Sequence, residues 1–331
     1  MDRNIQKALE NRAFAEPPPW GDIIGKTRSR EDPHGLIILN GKVVAKWGDT
    51  QRPDITFSVA KSFLSICAGL LQDDGLIPDF DAPISDLVND GGFDSPHNKA
   101  ITWRQMMQMT SEWQGSMWGK PDQVDHNRDL NVAPKDNADK GNERALKSPG
   151  THWEYNDVRV NRLALALLRV AERPLPDLLR ERIMDPIGAS NDWEWHGYKN
   201  SWVEIDSQKI QSVSGGSHWG GGMFISSEDQ ARVGYLMLNK GIWNGERLLS
   251  EHYVDQAFVP CNINQDYGLF WWLNNSQTRL PSATKTGFCA VGFGSNMIWV
   301  EPDYNLVAVV RWIEGSAFDK FCGEVLQILK T

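Results

Sequence analysis

The chain has no apolar run approaching the roughly 18–20 residues that cross a bilayer, so hydropathy offers no membrane span. Its four cysteines, Cys67, Cys261, Cys289 and Cys322, form no C-x-x-C pair, and no histidines stand at ligand spacing beside them. Reduced, buried thiols are expected, with no metal and no cofactor. The H-E-x-x-H and P-loop patterns are missing, as is the G-x-S-x-G elbow of α/β-hydrolases. Lysine and arginine are nowhere clustered with aromatics, and a net charge of -9 is spread along the chain, which argues against a nucleic-acid partner. The opening MDRNIQKALENRAF is charged and has no h-region, from which a cytoplasmic location is expected.

What is there is enough for a large core. The chain has 331 residues, 40% of them hydrophobic, which fits one composite domain or two moderate ones. Fifteen tryptophans suit an aromatic-walled cleft as well as an ordinary packed interior.

Element signals organise the rest. GLIILNGKVVAKWG alternates apolar runs around Asn40-Gly41, a hairpin signal that predicts two strands at about 35–47. From Ser58, VAKSFLSICAGLLQDDG is apolar nearly all round and stops at Gly75, which predicts a buried helix with Ser58 at its N-terminus. Between about 80 and 210, pieces such as WRQMMQM and NRLALALLRVAERPLPDLLRERI read as helices broken by Gly, Pro and Asn. FWWLN, SNMIWVEP and LVAVVRW read as strands, and a helix at about 316–330 closes the chain. The expected fold is α/β (α+β): an antiparallel sheet flanked by helices and built from both chain ends (1–80 and 211–331), with a mostly helical lobe (81–210) inserted.

Ser58 and Lys61 lie three apart on one helix face, within reach of each other. Burying that lysine among apolar residues should lower its pKa towards the neutral amine, which can accept the serine proton. Backbone N–H groups at the helix start offer an oxyanion site. By composition S-x-x-K is expected about once in such a chain, and a second copy, Ser282 to Lys285, sits in the Pro-led loop LPSATKTGF, where Ser282 reads as a turn residue. Its Lys285-Thr286-Gly287 is nonetheless the third element of an S-x-x-K hydrolase. Tyr155-Asn156-Asp157 opens a helix between the two.

With these motifs the chain resembles the serine β-lactamase, penicillin-binding protein and esterase superfamily. It is most similar to the class C-like branch that includes carboxylesterases and 6-aminohexanoate-oligomer amidases. GLIPDFDAPISDLV, ITWRQMMQMTSEW, GGSHWGGGMFISSEDQARVGYLMLNKG and GFGSNMIWVEPDYNLVAVV extend the resemblance over roughly residues 35–330. The resemblance implies a β-lactamase/transpeptidase-like fold, Ser58 as nucleophile, Lys61 as its proton acceptor, and Tyr155 as the group that passes the proton on and activates water. A phenol near two amines loses its proton more readily than in water.

Three departures stand out. Asn156 and Asp157 occupy the second and third places of the family's Y-x-N. Four residues, not three, separate K-T-G from G-F-G-S, so Lys285 and Gly287 face the site in one register and turn away in the other. The second oxyanion N–H then falls within 288–291, with Cys289 and Val291 as candidates. Glu112 stands where the family has glycine. His218-Trp219, ahead of three glycines, is a further candidate lining of the pocket. The resulting expectation is a serine hydrolase that forms an acyl-enzyme on Ser58 and cleaves a small ester or amide. A β-lactamase or D-peptidase, and a catalytically silent acyl-binding module, are the alternatives. The partner is a small ester, amide or lactam, and the oligomeric state is left open.

Overall fold

The computed structural model describes residues 2–10, 16, 19–131 and 136–330. Asn40 and Gly41 both take positive φ (50° and 74°), the backbone that a two-residue hairpin needs. They join β1 (His34–Leu39) to β2 (Lys42–Trp47). After β3 (Asp54–Ile55), a tight turn over Phe57–Val59 runs into α1 (Ala60–Asp73). This helix is buried from Ala60 to Leu71, and Gly75, at φ 72°, follows its end. A single helical turn, α2 (Trp103–Met107), starts with a capping box between Thr102 and Gln105. The longer α3 (Asp157–Ala171) is capped by Asn156.

The stretch expected to be mostly helical ends in a hairpin that sequence reading missed. It comprises β4 (Glu194–Ile205) and β5 (Gln208–Val213), turned at Asp206-Ser207, both at positive φ. Then come β6 (Gly222–Ile225), α4 (Ser227–Leu238), α5 (Glu251–Ala257), β7 (Trp272–Leu273), β8 (Phe288–Gly292), β9 (Asn296–Glu301), β10 (Leu306–Arg311) and α6 (Phe318–Leu329).

One sheet runs β7-β8-β9-β10-β1-β2, antiparallel throughout, so the N-terminal hairpin pairs with the C-terminal strands, His34 opposite Arg311. The fold is thus the expected antiparallel sheet flanked by helices and assembled from both chain ends. A second sheet runs β3-β6-β4-β5. Arg311, fully buried, stitches the two: its guanidinium donates to Asn296 Oδ1 (2.7 Å) and to the carbonyls of Ile225 (2.8 Å) and Ile55 (2.5 Å). Buried polar groups of this kind are almost always paired, and here one guanidinium serves three of them. No helix among the described residues is long and apolar enough to cross a membrane.

Candidate active site

Ser58 lies in the turn that launches α1. The preceding Phe57 has φ 50°, a strained backbone for a bulky residue, held by ring contacts to Phe293 (5.5 Å between centroids) and Trp312 (6.5 Å). Gly216 supports it from below: a Cβ there would come within 1.9 Å of the Phe57 carbonyl oxygen. Overdetermined in this way, the turn fixes where the Ser58 hydroxyl points.

Lys61, one helical turn on and 1% exposed, donates to the Ser58 hydroxyl (2.8 Å) and to the Gly215 carbonyl (3.1 Å). Its third acceptor is Asp157 Oδ1, at 2.7 Å. Here the structure departs from the expected neutral amine. Burial does push the Lys61 amine down, but the Asp157 carboxylate and Tyr155 together outweigh it and the net shift is upward. The resting lysine is an ammonium. Asp157, buried and also bonded to Arg128 Nη1 (2.9 Å), is held well below the usual carboxylate range: burial alone would raise it, and the Lys61 and Arg128 charges win.

Tyr155 lines the same cavity as Ser58. Its ring stacks on Trp272 (6.0 Å, 17°), and the Lys61 ammonium is 5.1 Å and the Arg128 guanidinium 5.4 Å from the ring centre. Asn156, by contrast, is consumed locally. Its carbonyl oxygen accepts from the N–H groups of Val158 and Arg159, and its amide donates to the Asp122 carbonyl (2.8 Å), so nothing is left for a substrate. The correction is that Asn156 is a helix cap and Asp157 a partner of the lysine, neither of them on the cavity wall.

The cavity is about 620 Å³, ample for a small ester or amide, and is walled by Ser58, Tyr155, Trp272, Arg279, Val291 and Gly292 among others. Of the tryptophans only Trp272 is on this wall; Trp103, Trp193, Trp219, Trp271 and Trp299 are buried in the core. Along β8, Val291 and Gly292 reach the cavity, and a Cβ on Gly292 would sit 3.1 Å from the Ser58 nitrogen. Cys289 is buried, opposite Trp272 and Trp299. Lys285 and Gly287 belong to a separate cavity of about 470 Å³ with Met237, Phe258 and Phe288. The loop before β8 folds back on Glu301, which accepts from the Thr284 hydroxyl (2.5 Å) and would meet any Cβ on Gly287. Lys285 is exposed and lines this second cavity, not the one that Ser58 lines. Ser282 is tied to Asp319 (2.9 Å) in its turn.

His218 and Trp219 are likewise off the cavity wall, one layer beneath. His218 Nε2 is 2.7 Å from Glu16 Oε1, and its Nδ1 is 3.7 Å from Asp157 Oδ2. Of the three glycines after them, Gly220 makes room for the N-terminal segment, a Cβ there coming within 2.6 Å of the Gly25 carbonyl, while Cβ atoms on Gly221 and Gly222 would meet the backbone of Gly197 and Gly216. The Trp219 carbonyl accepts from the N–H groups of Ile24 and Gly25. Sequence reading missed Arg128, Lys140, Glu16 and Arg279, which lie in irregular segments where no periodicity marks them. Glu112, in the place of the family glycine, has φ 51°, and its buried carboxylate takes both arms of Arg144 (2.6 Å each) and Arg159 (2.9 Å). Among the described residues no three His, Cys, Asp or Glu side chains converge as a metal-binding group.

A family model described as Beta-lactamase matches residues 36–312. A stretch of 141 residues, 40% of this chain, is 26% identical to an uncharacterized protein of Alkalihalophilus pseudofirmus, and spans only 38% of that protein's own length. Among solved structures, a protein described as a 6-aminohexanoate-dimer hydrolase from Bacillus anthracis superposes with a TM-score of 0.62 at 18% identity, over 90% of this chain and 78% of its own. A family VIII carboxylesterase gives 0.59 at 16%, over 84% and 85%. A D-stereospecific amidohydrolase from Streptomyces sp. gives 0.56 at 16%, over 85% and 89%. At such identities these likenesses speak to the fold.

Proposed function

Because the chain belongs to the beta-lactamase family, we propose that it is a serine hydrolase which forms an acyl-enzyme on Ser58 and cleaves a small ester or amide. The observation that carries this reading is the 2.8 Å contact between the Lys61 ammonium and a serine hydroxyl on the wall of a substrate-sized cavity. Lys61 first gives one ammonium proton to solvent; Ser58 Oγ then attacks the carbonyl carbon as its proton passes to the free amine, with Tyr155 and Asp157 bordering the lysine. The expelled alkoxide or amine takes a proton back, and water, deprotonated by the Tyr155 side, cleaves the acyl ester and restores the serine hydroxyl. The Ser58 N–H and a backbone N–H of β8 near Val291 and Gly292 are the oxyanion donors in this scheme.

Arg279 tunes the choice of substrate. Its exposed guanidinium lies 4.0 Å above the Trp272 ring on the cavity wall, with no carboxylate of the described residues within 4 Å. Acyl groups ending in a carboxylate fit that fork better than neutral ones. The Lys285 placement and the carboxylate at Asp157 favour esters and linear amides over lactams.

The test is covalent labelling with a fluorophosphonate, read by intact mass, alongside an ester, amide and lactam panel. The parent and Ser282→Ala are expected to take one adduct and Ser58→Ala none. Labelling of Ser58→Ala at the parent rate sinks the assignment. Labelling without turnover of any substrate makes the chain an acyl-binding module instead.

A further inference from the structure

Behind Ser58 the polar groups do not end at the lysine. Ser58 Oγ, Lys61 Nζ and Asp157 Oδ1 follow at 2.8 and 2.7 Å; from Asp157 Oδ2 the His218 Nδ1 is 3.7 Å away, and His218 Nε2 is 2.7 Å from Glu16. The Asp157, His218 and Glu16 side chains are at most 5% exposed. Glu16 comes from the N-terminal segment, which Lys120 pins by donating to the carbonyls of Pro19 (2.8 Å), Trp20 (2.7 Å) and Asp22 (3.2 Å). We propose that Glu16 and His218 are positioning residues for the base: Glu16 holds the His218 ring against Asp157, where it competes with Lys61 for that carboxylate. The inference rests on the serine-hydrolase reading for its purpose but not for its geometry.

The charges facing His218 decide the sign. On its N-terminal side are Glu16 and, ion-paired to that carboxylate, Lys140, which also approaches Asp125 at 3.3 Å. On its α3 side is Asp157, shared with Lys61 and Arg128, and Lys120 sits 5.5 Å from the adjacent Trp219 ring. Of the Glu16–His218 pair it is the imidazole that faces Asp157, at 3.7 Å, with Glu16 on the other ring nitrogen, so the imidazole charge acts on Asp157 at shorter range than the Glu16 carboxylate does. Burial pushes the imidazole down, and the Glu16 charge together with the bonds to Asp157 and Glu16 more than offsets this, while Glu16 itself is drawn to about 2 against its own burial by His218 and Lys140. A surplus positive charge next to Asp157 loosens its hold on the Lys61 proton and makes the free amine easier to form.

Two variants and two readouts test this. In Glu16→Gln the imidazole loses its anchor, and in His218→Gln the cation is gone; in both, Asp157 serves Lys61 and Arg128 alone. The half-point of fluorophosphonate inactivation against pH should move up by about one unit in each variant, the size of shift a neighbouring charge produces. Glu16→Asp should restore the parent profile. The Lys61 amine, titrated by ¹⁵N chemical shift in lysine-labelled protein, should move with it whether or not the protein turns anything over. An unchanged half-point, or one moving down because only the Glu16 charge was lost, overturns the proposal, as does a fall in melting temperature with no change in the titration. If Lys61 shifts as expected while Ser58 takes no label, the hydrolase reading fails and the linkage stands.

Discussion

Glu112 shows at the residue scale how one position can break a pattern and be stabilised by what surrounds it. A left-handed backbone costs a non-glycine residue on the order of 1 kcal/mol. The Glu112 carboxylate offsets that by pairing with Arg144 and the buried Arg159 and by accepting from the Lys147 N–H (2.8 Å). Removing it leaves Arg159 buried beside weaker partners. Glu112→Ala should therefore destabilise the protein by about 3–5 kcal/mol, the cost of breaking a buried ion pair from one side. Urea unfolding measures it; a loss below about 1 kcal/mol would show that Glu154 and Asp122 suffice for Arg159. Nothing in the sequence announces this, because Arg144 and Arg159 lie 32 and 47 positions away. The same distance effect hid the charge on Lys61. Its apolar helix was legible, but Asp157 and Arg128 come to it from other segments, and a burial argument without its counter-ion gives the wrong protonation state.

Elements with local causes were the readable ones. Asn40-Gly41 marked its hairpin and Gly75 the end of α1. The β4-β5 hairpin was not read, since Asp206-Ser207 is a weaker turn signal than Asn-Gly and its strands carry mixed polar faces. Strand β8 is the instructive case. Its motif K-T-G was visible, yet where that motif lies depends on the loop that Glu301 draws in, and no periodicity records it. Lys285 is exposed and belongs to the other cavity. Lys285→Ala should leave kcat/KM within about twofold for neutral and carboxylate-bearing esters alike, as expected of a solvated surface lysine. A tenfold loss confined to the carboxylate esters would place the ammonium at the active site.

For the molecule as a whole, buried carboxylates set the acid limit. The usual value near 4.5 falls to about 2 for Glu112, where burial opposes and the bonds from Arg144 and the charge of Arg159 prevail, and likewise for Glu16. A carboxyl depressed in the folded state binds its proton more tightly when unfolded, so the stability it contributes is complete above about 4.5 and is lost as pH falls towards about 2. Unfolding free energy should fall steeply as pH drops from about 4.5 towards 2, and Glu112→Gln should flatten that fall. A parent curve that declines equally above pH 5 would assign the acid limit to other groups.

The sheet built from both chain ends also has a consequence in time. During synthesis the turn that holds Ser58 and α1 emerge well before β8, against which the Ser58 backbone packs, and β10, the neighbour of β1. At ~5–20 residues per second, roughly 10–50 s of translation separate Lys61 from Gly292. Until then Ser58 has no cavity wall, β1 has an open edge, and Arg311 has not yet joined the two sheets. A chain released before β8 carries Ser58 and Lys61 without the wall that faces them, so the cavity around Ser58 is completed only once β8 has been made.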